Sequence, residues 1–158
     1  MSGLTAPGDV IYNPVSPFDD GQAPHEAVPS DDRLKVACLS NFSYPRGIDR
    51  LIDIAKVTAE KTPGRVLFVV AGDMKLSGKL PPPLSDFAAK GGTPEDVVTK
   101  AVLADSFVFL GHVPNPEQVL TACDVLLKPT REYNPWGRDI LEALAAGLPV
   151  ASVGPYDT

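Results

Sequence analysis

Five short apolar runs, separated by helical stretches, constrain the fold of this chain more than any other feature of its sequence. They lie at Leu34–Leu39, at Val66–Ala71 and at residues 107–110, 125–127 and 149–153. Short apolar runs of this kind are typical of strands buried in a sheet. Strands that alternate with helices form βαβ units with right-handed crossovers. We therefore predict an α/β fold, a Rossmann-like doubly wound parallel sheet covered by helices on both faces.

Amphipathic stretches between the runs predict helices at residues 48–59, 118–123 and 137–146. Apolar side chains recur at helical spacing in the last of these, so we expect a buried stripe there. Its members are Ile140, Leu141, Leu144 and Ala145. Residues 74–105 break the alternation with proline and glycine clusters. We expect them to form an insertion at the rim, with a helix capped by Thr93.

The domain organisation follows from a change in composition near residue 33. Residues 1–33 are rich in proline, glycine, aspartate and serine, which is typical of a linker or an N-terminal arm. Residues 34–158 are expected to form one domain. The sequence ends directly after the fifth run, whereas a doubly wound sheet usually continues. We therefore expect this domain to be incomplete at its C-terminus.

Charge and composition exclude several classes of protein. A formal net charge of -6 argues against nucleic acid as a partner, because nonspecific binders need a basic surface. No apolar run approaches the ~20 residues that span a bilayer, so we expect no transmembrane segment. Cys38 and Cys123 lie in apolar stretches without the spacing of a metal or redox site, and we interpret them as buried thiols. We predict a cytoplasmic location. The alternative is that the full-length protein is peripherally bound to a membrane.

The first loop with candidate ligand-binding residues follows the first strand. It carries Asn41, Arg46 and Gly47 and leads into the first long helix. Ligands of open parallel sheets bind beyond the carboxyl ends of the strands. A glycine turn that aims backbone N–H groups and a guanidinium at one point suits an anion. The alternative is that Arg46 is a solvated loop residue and Gly47 only turns the chain.

The second such loop follows the fourth strand. Asn134 and Pro135 form a good N-cap and first-turn pair, so we expect the next helix to start there. Gly137 would leave room for a ligand to approach the backbone. Arg138 and Glu142 lie four residues apart on one side of this helix. They form either an exposed ion pair or a guanidinium near phosphates with a carboxylate that accepts ribose hydroxyls.

This segment resembles the group 1 retaining glycosyltransferases, whose C-terminal domains carry an E-x7-E motif followed by G-x-P-V. The matching positions are Trp136, Gly137, Glu142, Ala143, Gly147, Pro149 and Val150. Four further family motifs occur in order, at residues 10–15, 46–47, 69–73 and 109–113. The resemblance covers about residues 9–155. It implies the C-terminal half of a GT-B fold, cut short at both ends.

Two positions depart from the family pattern. Asn134 stands where the family has the first glutamate of the motif, and Glu132 is displaced from that position by two residues. An amide can bond to a sugar hydroxyl but supplies no negative charge. Asn41 stands where the family has an arginine before its K-G pair, which here is Arg46-Gly47. Arg138 could replace the lost cation.

The resemblance implies a domain that binds a nucleoside-diphosphate sugar as donor substrate, without a cofactor or a metal. The hexosyl group would pass, with retention, to a sugar or lipid-linked acceptor held by a missing N-terminal domain. The residues expected to serve catalysis are Asn134, Arg46, Arg138 and Glu142. Those expected to line the donor site are Asn41, Gly47, Gly72, Gly111, His112, Thr130, Glu132, Pro135, Trp136 and Gly137. The alternative for His112 is a purely structural role.

Two other functions remain open on the sequence. A GT-B epimerase would bind a nucleotide sugar in the same way, although the segment around Asn134 fits the transferases better. A non-catalytic nucleotide- or protein-binding module of degenerate glycosyltransferase origin would explain the altered first glutamate. The chain offers one wall of a two-domain cleft, so we expect it to bind a nucleoside diphosphate weakly and to transfer no sugar by itself.

Overall fold

A computed structural model describes residues 14, 17–19, 21–76, 80–82, 84–131 and 137–153 of the chain. Five strands form one sheet in the order β3-β2-β1-β4-β5. They are β1 Leu34–Leu39, β2 Val66–Ala71, β3 Phe107–Gly111, β4 Val125–Lys128 and β5 Val150–Ser152. Each neighbouring pair runs parallel. The predicted parallel α/β sheet is confirmed, and the bounds of β1 and β2 match those expected from the apolar runs.

Five α-helices connect the strands in the described part of the chain. They are α1 Ile48–Lys61, α2 Leu84–Ala89, α3 Pro94–Lys100, α4 Glu117–Thr121 and α5 Arg138–Ala145. Short 3₁₀ turns precede α1 at Tyr44–Arg46 and β3 at Ala104–Ser106. The insertion between β2 and β3 contains α2 and α3. Thr93 caps α3 as expected, through a reciprocal capping box with Asp96.

The core is divided into two layers by the alternation of side chains along the strands. Val36 and Cys38 of β1 pack into one cluster with α1, α2 and α3. Ala37, between them, packs into the other with α4 and α5. Successive residues of a strand point to opposite faces of the sheet, so a strand that is apolar throughout needs cover on both faces. The helices on the two faces provide it.

One expectation for α5 is wrong, and a second is wrong in part. Its N-cap is Gly137 rather than Asn134, because Gly137 has an extended backbone with ψ 134° and helical geometry starts only at Arg138. Of the expected stripe Ile140 packs against the second core cluster, as predicted, but it does so with Ala143 and Ala146 rather than with Leu144 and Ala145. Leu144 is 57% exposed, and Ala145 is exposed too. The helix lies against the sheet with the small Ala143 at the contact, which turns Leu144 away from it.

The described part of the N-terminal arm contributes to the second core layer. Val28 is buried there, and Phe18 packs against the same cluster. The backbone N–H of His25 donates to the carbonyl of Gln118 on α4 at 2.9 Å. The linker role expected for residues 1–33 stays a prediction, but residues 25–28 are packed against the domain.

Both cysteines are buried free thiols, as expected. Burial raises the pKa of Cys38 to about 12, and the nearby charge of Asp139 adds to that effect. Burial likewise raises the pKa of Cys123 to about 12. Both thiols are therefore protonated and unreactive at neutral pH. None of the helices in the described ranges is long and apolar enough to cross a membrane.

Val102 is a strained position at the end of α3, which gives a test of the fold. Its φ is 58°, in the left-handed region, and its side chain is 90% exposed. This conformation strains an L-residue by about 1–2 kcal/mol, while a glycine loses about 0.5–1 kcal/mol of chain entropy. We therefore expect Val102→Gly to stabilise the chain by up to about 1 kcal/mol in urea unfolding followed by circular dichroism.

The matched control is Val57→Gly. Val57 is also exposed but lies inside α1, where glycine weakens the helix and should lower the unfolding midpoint. Destabilisation by both substitutions would show that Val102 is not strained.

Candidate functional site

A cleft of about 350 Å³ opens at the carboxyl ends of the strands, where an open parallel sheet binds its ligands. The loops after β1, β2, β3 and β4 and the start of α5 form its walls. Its lining residues are Leu39, Ser40, Asn41, Arg46, Ala71, Gly72, His112, Val113, Pro116, Lys128, Gly137, Arg138, Asp139 and Glu142. Most of them are polar or charged, which suits a phosphorylated ligand better than an apolar one.

Two loops interlock on one side of this cleft. Gly47 has a left-handed φ of 75°, and a methyl group on it would collide with the carbonyl of Pro129. Only glycine fits this close approach. The Thr130 hydroxyl donates to the carbonyl of Pro45 at 3.0 Å, and Arg50 donates to the carbonyl of Thr130 at 3.2 Å. The loop that carries Arg46 is thus fixed against the segment that follows β4.

Arg131 closes this interlock through a bidentate ion pair with Asp49 at the start of α1. Its two guanidinium N–H donors lie 2.7 and 2.5 Å from the two carboxylate oxygens. The guanidinium also stacks on the Tyr44 ring at 3.9 Å and donates to the Tyr44 carbonyl. Burial raises the pKa of Asp49, but the hydrogen bond and charge of Arg131 outweigh it, so the pKa lies below its usual range.

Arg138 and Glu142 are paired along the surface of α5. The Arg138 Nε donates to Glu142 Oε1 at 2.9 Å. The arginine side chain is 69% exposed, so the pair contributes only about 0.3–0.5 kcal/mol to the helix. Both residues also line a second cavity of about 420 Å³, bordered by Phe18 and Asn115. This pair is weak enough for a ligand to displace.

Lys128 and Asp139 form a second ion pair beneath the start of α5. The ammonium lies 2.5 Å from the carboxylate, and the two side chains are only 2% and 14% exposed. A methyl group on Gly137 would collide with both of them. We expected a glycine at this position to admit a ligand. The structure gives another reason for it, which is the space that this ion pair occupies.

The far side of the cleft is formed by the ends of β2 and β3. Gly72 donates its N–H to the carbonyl of Gly111 at 2.7 Å, and His112 follows on the rim. The side-chain oxygen of Asn41 accepts the N–H of Asp73 at 2.9 Å. Asn41 therefore stabilises the loop after β2. Within the residues that the structure describes, no group of three His, Cys, Asp or Glu side chains suits a metal ion.

Seven residues predicted for the site line the cleft. They are Asn41, Arg46, Gly72, His112, Gly137, Arg138 and Glu142. Gly47, Gly111 and Thr130 lie behind the lining, where they fix the loops. The predicted roles of Glu132, Asn134, Pro135 and Trp136 fall outside the described residues.

Four charged residues of these two ion pairs are not predicted from the sequence, namely Lys128, Asp139, Arg131 and Asp49. For Lys128 a signal was present, because a lysine at the end of an otherwise apolar run marks the carboxyl edge of the sheet. Nothing in the local sequence pairs Arg131 with Asp49, which are 82 residues apart.

Residues 33–154 match the model of a protein family described as glycosyl transferases group 1. A 2-deoxystreptamine glucosyltransferase of Streptomyces kanamyceticus is 47% identical over 62 residues, which are 38% of this chain and 16% of that protein. An uncharacterized glycosyltransferase of Methanocaldococcus jannaschii is 28% identical over 92% of this chain and 36% of its own length. The chain thus spans well under half of either relative.

The fold is also similar to solved structures. The HepE protein of Anabaena, in complex with UDP-glucose, superposes with a TM-score of 0.59 and 26% identity. The match covers 77% of this chain and 30% of HepE.

The pair formed by Arg131 and Asp49 predicts a pH-dependent stability. Asp49→Asn leaves the guanidinium without its charged partner and should destabilise the chain by about 1–3 kcal/mol at pH 7. A lowered carboxyl pKa contributes stability that is complete above the unfolded value near 3.9 and is lost as the pH falls through the folded value. The difference between parent and variant should therefore shrink below about pH 4 in urea unfolding.

Asp53→Asn is the matched control, because Asp53 lies on the same helix in an exposed ion pair with Lys56. It should change the stability little at either pH. An Asp49→Asn variant as stable as Asp53→Asn would show that the ion pair of Arg131 with Asp49 does not stabilise the chain.

Proposed function

The chain belongs to the group 1 glycosyl transferases, and on that premise we propose that its cleft binds a nucleoside-diphosphate sugar. The donor's hexosyl group would pass, with retention of configuration, to a sugar or lipid-linked acceptor. The acceptor would be held by another part of the protein. A cytoplasmic location is part of this proposal, and the two free thiols support it.

The observation that carries the proposal is the convergence of three distant loops on one cleft. Arg46 comes from the loop after β1, His112 from the loop after β3, and Arg138 from the start of α5. A basic wall next to a helix start suits the phosphates of a nucleotide. HepE, which has a similar fold, binds UDP-glucose.

The proposed chemistry requires stabilisation of the leaving diphosphate. The bond between the anomeric carbon and the phosphate oxygen breaks, and its electron pair stays on the diphosphate. The acceptor oxygen forms the new bond to carbon, and its proton passes to the departing diphosphate oxygen. Arg46, Arg138 and the first amides of α5 are the groups we assign to the growing charge. The helix amides are fixed donors, which stabilise it without reorganisation. No metal is needed in this proposal.

Glu142 would accept hydrogen bonds from the two ribose hydroxyls. In the structure its carboxylate is bonded to Arg138. Donor binding would exchange this contact, with Arg138 moving to the diphosphate and Glu142 to the ribose. Because the ion pair is weak, breaking it requires little free energy. The base would lie near Gly72 and His112, and Asn134 and Trp136 would border the sugar.

A thermal-shift panel of UDP, GDP and ADP tests the proposal on the 158-residue chain. A ligand at 100 times its Kd adds about 2.7 kcal/mol of stability. We expect one of the three diphosphates to raise the melting temperature more than its nucleoside does. Equal responses to all three diphosphates and their nucleosides would refute the proposed donor site.

A second candidate function is a non-catalytic nucleotide-binding module. The observation in its favour is Asn134, which stands at the position of the family's first glutamate. Tight nucleotide binding without turnover of any nucleotide sugar by the full-length protein would favour it.

Glu142→Gln tests the ribose contact. The substitution replaces one of the two acceptor oxygens by an NH2 donor and removes the charge, so we expect binding of UDP and of uridine to weaken by about 1–3 kcal/mol in isothermal titration calorimetry. Glu60→Gln, an exposed substitution on α1, is the control and should leave both affinities unchanged. Unchanged affinities in Glu142→Gln would remove Glu142 from the site.

Arg138→Ala separates phosphate binding from ribose binding. The variant loses a cation for the diphosphate, so we expect UDP affinity to fall about tenfold and uridine affinity to stay the same. Arg65→Ala removes an exposed arginine at the opposite edge of the sheet and should alter neither. Parallel losses for UDP and uridine would mean that Arg138 acts through the fold.

A further inference from the structure

Lys128 is a charged residue in the cleft to which the proposed function gives no role. It ends β4, whose other three residues are apolar, and its side chain is only 2% exposed. It nevertheless lines the cleft together with Arg46 and Arg138. A lysine this deeply buried is rare unless it is paired, so its position calls for an explanation.

Stability does not explain Lys128. A cation near the N-terminus of a helix opposes the helix dipole, and α5 begins within contact of this ammonium. Desolvation of a buried charge takes several kcal/mol, which an ion pair repays only in part. A methionine would fill the same space without a charge. The ion pair of Lys128 with Asp139 therefore stabilises the fold less than an uncharged residue in the same space would.

The geometry places the ammonium next to the position that an anion at the start of α5 would take. The absence of a side chain on Gly137 leaves the space that the Lys128 Nζ and the Asp139 carboxylate fill. Asp139 lies in the first turn of α5, so it holds the ammonium next to the first amides of the helix. An ammonium has three N–H donors, and Asp139 accepts one.

We infer that Lys128 is a phosphate-binding residue, which contacts the diphosphate of the donor from beneath the start of α5. Asp139 is its positioning residue. It neutralises the ammonium and fixes its direction. Three cations, Arg46, Lys128 and Arg138, then surround the diphosphate site. This inference deepens the proposed function and rests on it.

Calorimetric titration with inorganic pyrophosphate, UDP and uridine tests Lys128 in the 158-residue chain. We expect Lys128→Met to weaken the binding of pyrophosphate and UDP by at least about tenfold and to leave uridine unchanged. Because this variant leaves Asp139 unpaired, Lys128→Met with Asp139→Asn is measured as well. Urea unfolding establishes that both variants are folded.

The matched control is Lys35→Met. Lys35 is a half-buried lysine of β1 that is paired with Asp31 at the opposite edge of the sheet, and its loss should leave all three affinities unchanged. If the Lys128 variants are folded and bind pyrophosphate and UDP as tightly as the parent does, the inference about Lys128 is overturned. The proposed donor site is unaffected by that result.

One further outcome separates the inference from the proposed function, and another would overturn both. If pyrophosphate binding depends on Lys128 but UDP, GDP and ADP bind no more tightly than pyrophosphate, Lys128 is an anion contact and the donor proposal fails. If the parent chain binds neither pyrophosphate nor any of the three nucleotides, both are overturned.

Discussion

The parallel pairing of β1 with β4 brings the loop after β1 into contact with the segment after β4. This contact is tight because Gly47 allows the carbonyl of Pro129 to approach its backbone. Arg131 then reaches across to Asp49, and a bidentate guanidinium pair fixes both distance and orientation. The position of Arg46 relative to α5 follows from this contact. Any ligand held by both loops depends on it.

Two ion pairs that line the cleft differ in how deeply they are buried. The pair of Arg138 with Glu142 is largely exposed on the arginine side, so water screens it and its partners are exchangeable. The pair of Lys128 with Asp139 is buried, and its geometry is held by the packing around Gly137. One pair therefore adapts to a ligand, and the other is preorganised. Preorganised charge is the kind that stabilises a leaving group without waiting for side chains to move.

Prediction from the sequence worked best where burial on both faces dictated the residue types. The bounds of β1 and β2 matched because central parallel strands are apolar over most of their length, with Lys35 near the start of β1 as the exception. It failed at α5, where Asn134 and Pro135 have the residue types of a helix start. The helix begins instead at Arg138, after the extended Gly137 that packs against Lys128. A tertiary contact overrode the local preference.

The sequence by itself determined the alternation of strands and helices, and hence a parallel sheet whose polar loops meet at one edge. Those properties follow from residue type and spacing along the chain, which local patterns record. Only the tertiary structure decided which charges of different elements meet. Asp49 and Arg131 pair across 82 residues, and Lys128 finds Asp139 rather than another carboxylate. Ion pairing depends on separations of a few ångströms, and those are set by how crossovers and loops pack, which residue spacing does not encode.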